Sequence, residues 1–408
     1  MRLVRARRPR ARPPVPVRLN GPYNAGVSVT LGVEALAASN RLSGQRVGLV
    51  CNPASVDHQL RHSADVLTDA GATLAALFGP QHGFRSDRQD DMIETPHGRD
   101  ATREVPVYSL YSETRIPTAE MLDGIDVMVV DLTDVGTRVY TYIYTMANCM
   151  RACKAHGVPV VVADRPNPVG GVDVEGPPLD PAWTSFVGQF PIPLRHGLTI
   201  GELAELFNVE FGLGADLDVV PMSGWHRTQY LDETDLPWVL PSPNLPTLDS
   251  LVVYPGMVLL EGTMLSEGRG TTRPFELFGA PWLDAERLAV RLNGAELPGV
   301  QFRAAGFEPT FQKHVGEACG GCQIHVFDRQ RYRPVRTALA IIDACRASDP
   351  ARFGWKLPPY EYEHDRMPID LLWGSDALRT HVDAGGTAVD LAVDSTAYLA
   401  LREKYLRY

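Results

Sequence analysis

Between residues 46 and 222 short apolar runs alternate with stretches whose apolar residues recur every three or four positions. The runs RVGLVCNPA (46–54), TLAALFGPQHGF (73–84), VPVYSLY (105–111), VMVVDLTDVGTR (127–138), VPVVVADRPNP (158–168) and LDVVPM (217–222) read as strands, most of them apolar on both faces. HSADVLTDAG (62–71), PTAEMLDG (117–124), Tyr140 to His156 and LTIGELAELFNVEFG (198–212) read as the helices between them. GVSVTLGVEALAAS (26–39) is a short strand or loop entering a helix. Strands alternating with helices predict βαβ units, and so an α/β fold on a parallel sheet.

The polar residues of this half gather where strands stop: Asn52, Gln81 with His82, Asp131 with Asp134, and Asp164 with Asn167. One such end can be a helix cap. Several on one sheet edge are better explained by a ligand crevice at the strand carboxyl ends. No GxGxxG or Walker A motif follows any strand, which leaves an oxidoreductase or P-loop reading without its fingerprint. The polar segment after Phe84 reads as a long loop. GGVDVEGPPLDPAWTSFVGQFPIPLRHG (170–197) is also loop-like and carries Glu175, Arg195 and His196. Thr199 with Glu202 resembles a capping box, which makes Glu202 structural.

Three prolines in WVLPSPNLPTLDS place a domain boundary near 225–250. The division taken is an arm (1–22), an α/β domain (23–235) and a smaller α+β domain (236–408). The second domain opens on VYPGMVLLEGTMLSEGRGTTRPFELFGAPW (253–282), a glycine-dense loop with Glu261, Glu267, Arg269, Thr271 and Glu276. Such a loop brings backbone close to a ligand; the plainer reading is a set of surface turns. Helices over 284–295, 335–346 and about 394–406, with strands in QFRAAGFEP and GCQIHVFD, complete it.

Composition narrows the function. At 408 residues, 44% hydrophobic and 22% charged, the chain is of globular type, and a net charge of −10 argues against nucleic acid or an anionic membrane as partner. The first 20 residues carry seven Arg and four Pro with no acid. They read as a disordered arm, or as the product of an upstream start codon, before a basic tether. Without the apolar core of a secretory signal, a cytoplasmic location is expected. Cys319-Gly-Gly-Cys322 has redox-type spacing, but it precedes a strand-like stretch and lacks partner ligands, so it reads as a turn with buried thiols. No metal or cofactor is expected.

A series of long motifs then carries a resemblance over about residues 27–408: VGLVCNPA, FGPQHGF, PVYSLY, PTAEML, VDLTDVGTRVYTYIYT, DRPNPVGG, VEGP, FVG, IPLRHGLTIGELA, PSPNLPT, EGTMLSEGRGTTRPFE, GAPW and REKYLRY. It resembles the exo-β-N-acetylmuramidases related to NamZ, formerly known only as a domain of unknown function. The resemblance implies a Rossmann-like N-terminal domain with a smaller C-terminal domain. It also implies release of N-acetylmuramic acid (MurNAc) from the non-reducing end of peptidoglycan fragments, in bacterial cell-wall turnover. The expected ligands are MurNAc–GlcNAc disaccharides or muropeptides.

Three departures stand out. Where the family has PEHG, this chain has Pro80-Gln81-His82-Gly83. Asp131-Leu132-Thr133-Asp134 stands for DIQD, and Met264 for an Asn after EGT. An amide at position 81 cannot exchange a proton, and acid or base catalysis is worth about 10²–10⁴-fold. That keeps open a muropeptide binder without turnover. Glycoside hydrolysis needs carboxyls, and Asp134 and Glu267 are the first candidates, with Glu175 behind them and His82 as a substitute donor. Arg138, Arg195 and Arg269 suit the lactyl carboxylate of MurNAc, unless each pairs with a neighbouring acid. Gln81, Asp131, Tyr140, Asn167, His196, Asn244, Glu261 and Thr271 complete the expected sugar site. Asp90, Asp91 or Glu94 of the long loop could fill the place vacated at position 81.

Overall fold

The computed structural model describes residues 27–90 and 92–408; the Arg/Pro-rich arm and Asp91 lie outside them. In chain order the elements of the first half are α1 (Gly32–Ala38), β1 (Arg46–Val50), α2 (Ser63–Asp69), β2 (Thr73–Gly79), β3 (Gly98–Asp100), β4 (Val105–Ser109), α3 (Ala119–Leu122), β5 (Val127–Val130), α4 (Tyr142–His156), β6 (Val160–Ala163), β7 (Glu175–Pro178), β8 (Pro193–Arg195), α5 (Ile200–Val209) and β9 (Leu217–Val220). The second half holds α6 (Leu248–Met257), β10 (Leu277–Ala280), α7 (Ala285–Gly294), β11 (Val300–Phe307), β12 (Cys319–Val326), α8 (Pro334–Ser348), α9 (Pro368–Trp373), α10 (Ala377–Asp383) and α11 (Thr396–Arg402).

Seven strands form one sheet in the order β3-β4-β2-β1-β5-β6-β9. All neighbours are parallel except β3 with β4. The order reverses between β1 and β5, so the loops after β1, β2 and β5 face the crevice of a doubly wound sheet. β5 shows why the runs lack alternation: Val127 and Val129 pack into one apolar cluster, Met128 and Val130 into another on the opposite face. Each such side chain contributes roughly 1.5–3 kcal/mol on burial. In α4, Tyr142 to Met150 are buried without a break, as in a helix covered on every side. Gly157, at φ 70°, ends it in the left-handed conformation.

In the second half α7 packs against an antiparallel sheet of order β10-β12-β11, α8 packs on α7, and α6 packs on α8. The apolar cluster containing α4 and α5 runs on into α6, α8, β10 and β12, so the two halves share a core.

Three expectations need correction, and two helices lie where none was expected. Residues 170–197 are not all loop, because β7 and β8 pair there as a small antiparallel sheet. Residues 253–262 are helical, with α6 followed by a tight turn of helix over Val258–Gly262. Cys319-Gly-Gly-Cys322 lies inside β12, not in a turn. Its glycines admit the neighbouring strand, since a Cβ on Gly321 would fall 1.9 Å from the Phe278 carbonyl oxygen. Its thiols are buried and free, and burial pushes the Cys322 thiol up to about 12. Finally, α9 and α10 had no periodic signal long enough to read. No helix among the described residues is long and apolar enough to cross a membrane.

Candidate active site

The turn after β2 is built from residues that leave no choice of path. A Cβ on Gly79 would sit 2.6 Å from the Phe84 nitrogen, and Gly83 adopts φ 80°. His82, at φ 67°, is a left-handed non-glycine residue between them, a conformation that persists only where surroundings enforce it. This turn delivers Gln81 and His82 into a cavity lined by residues of both halves. The loop after β5 adds Tyr140 and Thr141; the second half adds Ser242, Asn244, Tyr254, Glu261, Arg269, Tyr360 and Glu361.

Two carboxyl groups line this cavity, and they are held differently. Glu261 Oε1 lies 2.6 Å from the Arg269 guanidinium, and its Oε2 accepts the Tyr360 hydroxyl at 2.7 Å. The guanidinium holds that oxygen in a charge-assisted hydrogen bond. Glu361 Oε1 accepts from the Gln81 amide at 3.0 Å, and its Oε2 faces the Tyr111 hydroxyl at 2.9 Å. The Gln81 amide is oriented by the Thr141 hydroxyl, which donates to Oε1 at 2.7 Å. Burial, reinforced by the Glu361 charge, raises the Tyr111 phenol far above its ordinary value, so it remains an O–H. Arg115 lies over the Tyr111 and Tyr362 rings, 4.4 and 4.5 Å from their centroids. Glu361 and Tyr362 are both left-handed, at φ 43° and 70°.

Of the residues expected from the sequence, Gln81, His82, Tyr140, Asn244, Glu261 and Arg269 line the cavity. The others do not. Asp134 accepts from the Gly136 amide at 2.8 Å and sits 3.2 Å from buried His196. Glu267 pairs with Lys313 at 2.7 Å and with Arg269 at 3.4 Å. Burial pushes its carboxyl up, but Lys313 and Arg269 outweigh burial and leave it below the usual range. It is thus an anion behind the cavity wall, unsuited to act as an acid. Glu175 binds Arg195 at 3.2 Å and the Val335 amide at 3.1 Å, tying β7 to β8 and α8.

The remaining expectations are struts. Asp131 is fully buried against Arg165, with one oxygen 2.7 Å from the guanidinium, and also accepts from Ser63. Arg138 is fully buried and donates to the carbonyls of Pro177, Ile192 and Leu372; burial pushes it down to about 10. Arg195 is spent on Asp173, Glu175, Tyr230 and the Val169 carbonyl. Asn167 bonds the Leu198 carbonyl at 2.9 Å, and Thr271 the Gly268 carbonyl at 2.6 Å. Asp90, from the long loop, binds Gln312, and Glu94 binds Arg115 at 3.3 Å; neither lines the cavity.

Sequence reasoning missed Glu361, Thr141, Tyr111 and Tyr360. The signal for the first and last was PPYEYE (358–363), where acids and aromatics alternate beside prolines.

A second cavity lies over the ends of β1, β5 and β6, lined by Ala54, Thr133, Arg165, Leu236 and Trp238 among others. Its one ionisable group, Arg165, is already paired with Asp131. It offers no carboxyl for hydrolysis.

Comparison with known proteins gives one consistent picture. Residues 47–249 match the family model described as exo-beta-N-acetylmuramidase NamZ, N-terminal, and residues 252–408 match its C-terminal counterpart. The peptidoglycan beta-N-acetylmuramidase NamZ of Bacillus subtilis (strain 168) is 47% identical over 389 residues, which is 93% of this chain and 91% of that protein. Two crystal structures of DUF1343 family proteins from Bacteroides fragilis NCTC 9343 superpose with TM-scores of 0.80 and 0.71, at 35% and 26% identity. Each alignment covers 93% of this chain and 99% of the other.

Proposed function

The chain belongs to the NamZ family of exo-β-N-acetylmuramidases, and from that membership we propose that it is a glycoside hydrolase releasing MurNAc from the non-reducing end of peptidoglycan fragments. The observation that carries this reading to a place in the molecule is the cavity at the sheet's carboxyl end. It joins two carboxyls, a guanidinium and several amides and hydroxyls contributed by both halves of the chain.

Hydrolysis of a glycoside asks for a proton at the leaving oxygen and negative charge near the anomeric carbon. Glu261, paired with Arg269, is the carboxylate assigned to that charge. Arg269 is the guanidinium of the cavity wall, and it gives the lactyl carboxylate of MurNAc a partner. Tyr140, Asn244 and His82 are placed to meet hydroxyls or the acetamide. The ligands this site suits are MurNAc–GlcNAc disaccharides and the muropeptides that carry the same terminal sugar. The binder reading rests on Gln81 alone, and Glu361 weakens it by putting a carboxyl 3.0 Å away.

The test is release of free MurNAc from MurNAc–GlcNAc by the natural protein and by Gln81→Glu, with GlcNAc–MurNAc as control. Release from the first substrate alone by the natural protein supports the exo-muramidase. Release only by Gln81→Glu would favour the binder.

A further inference from the structure

On the muramidase reading just given, we propose that Glu361 is the proton-transferring carboxyl of this cavity and that Gln81 is its positioning residue. The juxtaposition that carries this is the Gln81 amide on one Glu361 oxygen and the Tyr111 hydroxyl on the other. A glutamate at position 81 would set two carboxyls facing each other at about the present 3.0 Å, and such a pair shares one proton. The amide instead supplies a permanent hydrogen at that point. Glu361 Oε1 is therefore always an acceptor, and any proton resides on Oε2.

There the Tyr111 hydroxyl serves both states. It donates to the carboxylate, or accepts from the carboxylic acid while Tyr362 lies beside it. Glu261 instead pairs with a guanidinium and the Tyr360 hydroxyl. The Glu361 side chain is aimed by two consecutive left-handed residues, opposite the left-handed His82. Backbone cost of this kind gathers where a side chain must be held to one direction.

The chemistry closes on this one titrating group and the substrate's own acetamide. Protonated Glu361 gives its proton to the glycosidic oxygen as the C1–O bond breaks and the acetamido oxygen bonds to C1. Water then adds to C1, the C1–acetamido bond opens, and the proton lost by water returns to Glu361. The positive charge that develops at C1 between the two steps is met by the Glu261 anion.

The experiment compares the natural protein, Glu361→Gln and Glu361→Asp on the MurNAc–GlcNAc disaccharide and on 4-nitrophenyl β-MurNAc, whose leaving group needs no proton. Glu361→Gln is expected to lose about 100-fold or more in kcat on the disaccharide and about tenfold less than that on the aryl glycoside, with KM little changed. Glu361→Asp, which keeps a displaced carboxyl, falls between, and it alone is read by the same ratio if the amide variant does not fold. Equal losses on the two substrates, or a disaccharide rate within about threefold of natural, would overturn the proposal. Hydrolysis of neither substrate by the natural protein would remove the functional reading itself, and the proposal with it.

Discussion

Three arginines looked equivalent as partners for a sugar carboxylate, and their surroundings separate them. Arg138 and Arg195 each satisfy buried backbone carbonyls far into the fold, whereas Arg269 lines the cavity. Arg138→Met should therefore act on stability. It leaves three carbonyl acceptors without their donor, at roughly 1–3 kcal/mol each, and a large fall in melting temperature is expected, with KM unchanged in whatever folds. Arg269→Met should raise KM for MurNAc-terminated substrate about tenfold or more, the usual worth of a charge-assisted pair. A melting curve and a KM for each variant check both statements, and a reversed pattern would contradict them. The same contrast shows what was legible residue by residue. Gln81, His82, Glu261 and Arg269 stood out because polar groups interrupt apolar runs there. Glu361 did not, because its role depends on a contact across 280 positions of sequence.

The elements were legible where burial repeats along the chain, and less so where polar groups end it. Every strand of the main sheet except the three-residue β3 was readable from its apolar run. The polar strand ends were taken together as one crevice, yet most of them fasten elements to each other. Asp131 joins the end of β5 to that of β6 through Arg165. Asp164 accepts from Thr199 and the Gly201 amide at the start of α5. A carboxylate that caps and one that catalyses look alike in sequence, and only the partner distinguishes them. His58 is a further fastener, 2.8 Å from Glu34 of α1 and 3.2 Å from Asp235. The hydrogen bond to Glu34 raises it to about 8 against an ordinary 6.5, with burial opposing. Its folded value exceeds its unfolded one, so its contribution is complete below about pH 6.5 and is lost as pH rises through about 8. At most about 2 kcal/mol is involved, less for solvent screening at a partly exposed site. The melting temperature of the natural protein should fall relative to His58→Gln over that window; parallel curves would contradict the assignment.

Across the whole molecule, the two halves are bound by more than the segment that joins them. One apolar cluster extends from α4 and α5 into the second half. The last described residues return to the first half: the Tyr408 hydroxyl meets Asp164 at 2.7 Å, Arg407 pairs with Glu205, and Tyr398 donates to the His196 carbonyl at 2.8 Å. A shared core of this kind should unfold as a unit. Scanning calorimetry is expected to give one transition with equal calorimetric and van't Hoff enthalpies, and two separable transitions would contradict it. The cavity follows from the same arrangement, since Gln81 belongs to one half and Glu261 and Glu361 to the other. The seam between the halves was not legible in sequence, because the residues that meet there carry no shared periodicity.

The most direct test of the account is a crystal structure of the protein with MurNAc bound. The sugar is expected between Gln81, Glu261 and Glu361, with its lactyl carboxylate toward Arg269. A sugar seated instead against Trp238 and Arg165, in the second cavity, would contradict it.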